Sequence, residues 1–385
     1  MPKGSPTPGK DYIIGVDIIR FLSAVGVAAF HLTWLNPAAT WDFPVGWIGV
    51  QLFFVISGLV IANSAHQSNW RRFARGRFLR LYPAAWCALL FNCLCISAVG
   101  AHAYELEGVF VTSAGRDVLG SFVLLGTHQI ATAYWTLPVE IAFYVIVGLA
   151  LAARIFENVE RVAAFLILWS SFYLALLAFN PFGVMRYNRL HIEYGWTTVL
   201  LLRHGCYFGM GMLIWAMKER RLTRLGAAAF GAALLLSIPE IADRAQEIQR
   251  YMVRPEFGAR FAPGALVAMS SCTFLCGVAA IVAGVRLNRA LLYPPMLGRS
   301  IRLLGLATYP FYLLHEAVGG YVLLWLSSQR IQPRFGVWLA ILIVGVLSVI
   351  IAAWLEPALR KLLERIASAG TRRFTWAYDS VKNSF

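Results

Sequence analysis

The stretch "VDIIRFLSAVGVAAFHL", residues 16–32, has the length and apolarity of a membrane-spanning helix, yet it carries Asp17, Arg20 and His31. Titratable groups at membrane depth are costly, and those that persist face a bundle interior, a partner or a water-filled path. Arg20 and His31 stand eleven residues apart, close to three helical turns. Both therefore project from nearly the same face, roughly 16 Å apart along the axis. A polar stripe crosses this span.

The rest of the chain makes the span one of many. Of 385 residues, 59% are hydrophobic and only 14% are charged. That composition lacks the charged surface of a soluble domain and predicts an all-α, polytopic membrane protein embedded in a lipid bilayer. Ten apolar stretches, near 12–32, 45–64, 81–100, 133–153, 162–179, 196–216, 222–239, 262–284, 303–326 and 335–356, read as spans. About 18–25 residues suffice to cross.

The net charge of +15 raises nucleic acid as a partner, but the placement of the basic residues excludes it. They sit in short segments between apolar stretches: "RRFARGRFLR" (71–80), "KERRLTR" (218–224) and "VRLNRALLYPPMLGRSIR" (285–302). The positive-inside rule puts these segments and both termini in the cytoplasm. It leaves Glu240, Asp243, Glu247 and Glu256 in a long outer loop after the seventh span. Residues 1–11 read as a disordered cytoplasmic tail, 12–356 as one transmembrane domain, and 357–385 as a C-terminal tail too short for a second domain. Asp17 and Arg20 interrupt the first apolar stretch, which argues against a cleaved signal peptide.

Several reaction classes lack their signatures. The six cysteines include no C-x-x-C pair, and "HEAVG" (315–319) is not H-E-x-x-H, so no metal is expected. There is no phosphate-binding glycine loop, no G-x-S-x-G around Ser57, and no histidine followed five residues later by aspartate.

What the sequence does offer is a set of polar groups inside spans. "YWTLPVEIAFYV" (134–145) places Glu140 about two turns from the outer face, at a depth comparable with His31. An imidazole and a carboxylate from two helices make a candidate base and orienter. Simpler readings stand beside this one. Asp17 and Arg20, at i and i+3, can be a structural ion pair. His315 can be a helix-to-helix hydrogen bond, and Tyr309 with Pro310 can shape a bend in the ninth span.

Taken together these residues resemble the acyltransferase-3 family of integral membrane O-acyltransferases. The arginine, ten intervening residues and histidine of Arg20 to His31 resemble its signature. "GVQLFFVISGLVI" (49–61) is similar to its second-helix block, and "RFARGRFLRLYPAAW" (72–86), with Arg77 and Arg80, to its R-x-x-R loop leading into Tyr-Pro. "YWTLPVEIAFY" (134–144) and "LGLATYPFYLLHE" (304–316) resemble two further blocks.

The resemblance implies transfer of an acyl group, commonly acetyl, from cytoplasmic acyl-CoA to a hydroxyl of a cell-surface or lipid-linked glycan. It also implies a bacterial inner-membrane location. His31 is then the general base, assisted by Glu140 and Arg20. Arg77, Arg80, Arg75 and Arg203 are candidates for donor phosphates and the donor path, since a guanidinium fork suits phosphate. Asp17, His315 and Tyr309 are secondary candidates. A histidine-bound acyl intermediate stays open. The sequence has no esterase-like domain after its last span, so the glycan acceptor is expected to meet the bundle itself or a separate extracytoplasmic partner. The rival class is a transporter or flippase of a lipid-linked sugar, with the buried charges lining its path. A noncatalytic assembly subunit is a third reading.

Overall fold

A computed structural model describes residues 13–34, 41–99, 115–125, 129–179, 196–249, 262, 264–288 and 295–368, and all regular structure among them is helical. The helices are α1 (Ile14–Trp34), α2 (Ile48–Ala65), α3 (Trp70–Val99), α4 (Gly115–Val123), α5 (Thr136–Ala152), α6 (Val159–Phe179), α7 (Trp196–Val199), α8 (Gly205–Lys218), α9 (Arg224–Glu247), α10 (Ala265–Arg286), α11 (Pro295–Leu314), α12 (Ala317–Ser328) and α13 (Pro333–Ile350). A 3₁₀ turn, Thr132–Trp135, leads into α5, and a π-helical turn, Ile351–Leu355, carries α13 on to residue 368. Seven helical stretches among the described residues are long and apolar enough to cross a membrane. A bilayer core offers no water to backbone groups, so the chain satisfies them within its helices. The protein is a multi-pass integral membrane protein, and large side chains such as Leu168, Phe172 and Leu235 point outward.

The stripe on α1 faces inward because α1 runs through the bundle, in contact with α2, α10, α11, α12 and α13. Asn288 fixes its start by accepting from the Ile14 N–H at 2.7 Å. The tightest packing joins α2 to α8. A Cβ on Gly58 would stand 2.1 Å from the Phe208 carbonyl oxygen, and one on Gly211 would stand 1.9 Å from that of Val55. Small residues permit such approach between membrane helices, where van der Waals contact drives association.

Several expected boundaries move. The arginine-rich segment 71–80 is not a loop but the opening turns of the 30-residue α3, so its guanidiniums point in different directions. The expected outer loop after span seven begins too early. Helix α9 continues past Pro239 to Glu247, and Glu240 and Glu247 are buried on it. The sixth expected span becomes the short α7 followed by α8, and the ninth is broken between α11 and α12 at His315–Glu316. Helix also extends over 357–368, the first part of the expected C-terminal tail. Residues 1–11, Glu256 and most of the stretches between the expected spans at 101–132 and 180–195 lie outside the described residues.

Candidate active site

A cavity of about 140 Å³ opens between α1, α2, α3, α5 and α11. Its α2 wall runs from Phe53 to Ile61 and its α5 wall from Thr136 to Tyr144, roughly 12 Å along the helix axes. Three guanidiniums line it, those of Arg20, Arg77 and Arg80, together with the Glu140 carboxylate. Aromatic side chains, including Phe53, Phe54 and Tyr312, supply much of the remaining surface.

Each guanidinium is held differently. Arg20 pairs with Asp17 at 3.4 Å, one turn earlier on α1. Asp17 in turn fits against α11 only because residue 305 is glycine, where a Cβ would lie 2.3 Å from the Asp17 Cγ. Asp17 thus positions Arg20 toward the cavity. Arg80 pairs with the buried Glu356 at 3.2 Å. Glu356 directly follows the π turn 351–355, an irregularity that shifts the register of the residues after it. The sequence reading missed this carboxylate. Its signal was an isolated acid at the end of the last apolar stretch, immediately before Pro357. Arg77 makes no ion pair among the described residues; its guanidinium rests 5.6 Å from the Phe73 ring centroid and 5.9 Å from that of Tyr144. Such contacts stabilise a cation while leaving its N–H groups available to a ligand.

Arg75 and Arg203 stand elsewhere. Arg75 is exposed and does not line the cavity. Arg203 is buried in a separate cluster, with Nε 2.9 Å from Glu240 Oε1 and a second contact to Asp243 at 3.6 Å. Tyr207 also donates to Glu240, at 2.6 Å. A buried charge has to be paired, and this pairing is the reason Glu240 lies inside the bundle rather than in a loop.

His31 and Glu140 do not form the expected pair. Glu140 Oε1 accepts from the Tyr144 hydroxyl at 2.5 Å and from Ser57 Oγ at 3.2 Å. His31 instead places Nδ1 2.9 Å from Nε2 of His315. The reason lies in the break after α11. Ending a helix leaves backbone carbonyls without intrahelical partners. At this break the Tyr312 carbonyl accepts from His315 Nδ1 at 2.6 Å, and the Leu313 carbonyl accepts from Asn92 Nδ2 at 3.1 Å. Glu316 accepts from the Ala133 N–H at 2.8 Å and from the Thr132 hydroxyl, anchoring the turn that starts α5.

This network assigns the histidine tautomers, because a carbonyl can only accept. His315 carries its proton on Nδ1, so its Nε2 accepts, and the proton it accepts is on His31 Nδ1. His31 Nε2 is left with its lone pair. Tyr312 connects this pair to the cavity: it lines the wall, and its carbonyl holds His315. Neither histidine lines the cavity itself, whose surface is mainly apolar; the arrangement provides an oriented imidazole pair linked through Tyr312 to a cavity that bears three arginines. Among the described residues no group of three or more His, Cys, Asp or Glu is placed to hold a metal ion.

The chain is 28% identical over 240 residues to YrhL of Bacillus subtilis strain 168, whose name as a peptidoglycan O-acetyltransferase is provisional; the match covers 56% of this chain and 35% of that protein. It is 25% identical over 181 residues to the peptidoglycan O-acetyltransferase OatA of Listeria monocytogenes serovar 1/2a, covering 45% and 26% respectively. It is also 25% identical over 244 residues to BcsY of Komagataeibacter xylinus, provisionally named a membrane-bound transacylase, covering 58% and 56%. The match thus spans less than two thirds of each relative's length. No solved structure matches the chain. The profile of the acyltransferase-3 family, described as an acyltransferase domain, matches residues 13–356. The chain belongs to the acyltransferase-3 family.

Proposed function

We propose that the protein transfers an acyl group, acetyl in the first instance, from cytoplasmic acyl-CoA to a hydroxyl of a cell-surface or lipid-linked glycan, with His31 as general base. The observation that carries this reading is Tyr312, which lines the guanidinium-bearing cavity and whose carbonyl holds His315, the partner of His31. In this reading Arg77 and Arg80, both on the cavity wall, meet donor phosphates, and the lone pair on His31 Nε2 suits proton abstraction near neutral pH.

In the proposed reaction the acceptor hydroxyl gives its proton to His31 Nε2 as its oxygen attacks the thioester carbonyl carbon. A new C–O bond forms, the C–S bond breaks, and the departing thiolate takes the proton back from the imidazolium. His315 Nε2 accepts from His31 Nδ1–H throughout, which stabilises the cationic ring without taking its proton. Glu140, held by Tyr144 and Ser57, balances the cavity's positive charge rather than orienting His31.

The reading includes ten crossings with both termini in the cytoplasm of a bacterial inner membrane. In this reading α6, α8 and the broken α11–α12 cross the membrane alongside the seven stretches noted above. The acceptor side is supported by the two peptidoglycan O-acetyltransferase names among the relatives.

The test is release of free CoA from acetyl-CoA by purified protein in nanodiscs, with and without cell-wall glycan, for wild type and His31→Ala. Glycan-dependent release that His31→Ala abolishes while retaining CoA binding is the expected result. Turnover by His31→Ala at the wild-type rate would remove His31 from the chemistry. Absence of CoA binding would remove acyl-CoA as the donor.

A further inference from the structure

Tyr309 is a cavity residue whose hydroxyl the network above does not use. Its oxygen is sealed from solvent and has no hydrogen-bond partner among the described residues. The neighbouring hydroxyls are engaged: Ser57 and Tyr144 donate to Glu140, Thr136 donates to the Ala133 carbonyl at 3.2 Å, and Thr308 donates to the Leu304 carbonyl at 3.0 Å. Arg77 Nε, on the same cavity, is likewise buried without a hydrogen-bond partner among the described residues. Orphaned buried donors are rare in native proteins and mark a place for water or ligand. Two of them on one wall system point to a ligand rich in acceptor oxygens.

Position narrows the chemistry. Tyr309 precedes His315 by six residues on the same helical element, roughly 9 Å along the axis. It shares the cavity with Arg77 and Arg80. In an acyl-CoA whose phosphates meet those guanidiniums and whose thioester reaches His31, the segment between the two is the pantetheine arm. The acceptor oxygens of that segment include two amide carbonyls. A neutral phenol O–H matches a neutral amide carbonyl, and a guanidinium N–H matches a phosphate oxygen.

We propose that the Tyr309 hydroxyl donates a hydrogen bond to an amide carbonyl of the donor's pantetheine arm, making Tyr309 a donor-binding residue that recognises the arm rather than the nucleotide. The proposal rests on acyl-CoA being the donor. Apolar contacts from Phe53 and Phe54 would flank the arm's methylene groups, and Tyr309 would fix its register in the cavity.

Equilibrium binding to the full-length protein in nanodiscs tests this with two probes: coenzyme A, which has the arm, and adenosine 3′,5′-bisphosphate, which has nucleotide phosphates and no arm. Tyr309→Phe removes only the hydroxyl. The expected result is roughly tenfold weaker binding of coenzyme A, as for loss of one buried hydrogen bond, with adenosine 3′,5′-bisphosphate unchanged. Unchanged coenzyme A affinity would overturn the proposal and leave the hydroxyl to cavity water. A fall in kcat at unchanged affinity would overturn it in favour of a role in the transition state. Equal weakening of both probes would overturn it in favour of a structural role. Failure of the wild type to bind coenzyme A at all would refute the donor reading itself and so is distinguishable from these outcomes.

Discussion

His31 Nδ1 and His315 Nε2 meet at 2.9 Å across the α1–α11 contact, and the Tyr312 carbonyl 2.6 Å from His315 Nδ1 decides which atom of each ring carries the proton. Substituting His315 with Leu removes the acceptor for His31 Nδ1–H and frees the imidazole to adopt the other tautomer. The expected outcome is a fall in kcat of roughly 10²- to 10⁴-fold, the range seen when a catalytic histidine loses its base function or orienter. Coenzyme A affinity should stay near wild type. His315→Gln, which offers one acceptor and one donor, should recover part of the rate. Initial rates of CoA release settle the matter; wild-type kcat in His315→Leu would show the pair to be structural only.

Arg77 and Arg75 are two residues apart on α3 but differ in setting, one lining the cavity and the other exposed. Loss of a charge-assisted hydrogen bond costs about 1.5–3 kcal/mol. Arg77→Ala should therefore weaken coenzyme A binding by roughly 10- to 100-fold, and Arg75→Ala should change it by less than about twofold. Equal effects from the two variants would mean that the basic stretch acts as a diffuse field rather than a site. Arg80 is a less clean probe, because its removal also strands the buried Glu356.

Arg203 should report on stability rather than on donor binding. Removing one member of a buried ion pair costs about 3–5 kcal/mol, so Arg203→Ala should lower the thermal midpoint of the detergent-solubilised protein. The double variant Arg203→Met with Glu240→Leu, which leaves no uncompensated pair between these two positions, should recover much of the loss. A large change in coenzyme A affinity with an unchanged midpoint would return Arg203 to the donor path.

Helix packing gives a fourth expectation. Gly211 on α8 has no room for a Cβ, which would stand 1.9 Å from the Val55 carbonyl oxygen, whereas nothing lies within 4 Å of the corresponding position on Gly231 of α9. Gly211→Ala should destabilise by about 1–3 kcal/mol through overpacking. Gly231→Ala should be neutral or stabilising by up to about 1 kcal/mol, as expected for a helix interior. Thermal unfolding of the two variants side by side measures the contrast.

The sequence by itself determined the class of molecule and much of the polar inventory. Apolar runs of membrane length force helices because lipid cannot satisfy a backbone. Helical periodicity put Arg20 and His31 on one face before any contact was known, and local spacing suggested the Asp17–Arg20 pair. Local sequence cannot specify which helices become neighbours. The structure therefore decided that His31 answers to His315 rather than Glu140, that Arg203 belongs to Glu240 rather than to the cavity, and that Glu356 reaches Arg80 across 276 residues of chain. Two devices behind these pairings are irregular backbone, the break at His315–Glu316 and the π turn before Glu356. A periodic reading misses both, because each departs from the regular turn on which that reading depends. The break leaves carbonyls that fix His315, and the π turn changes the register with which Glu356 enters the bundle.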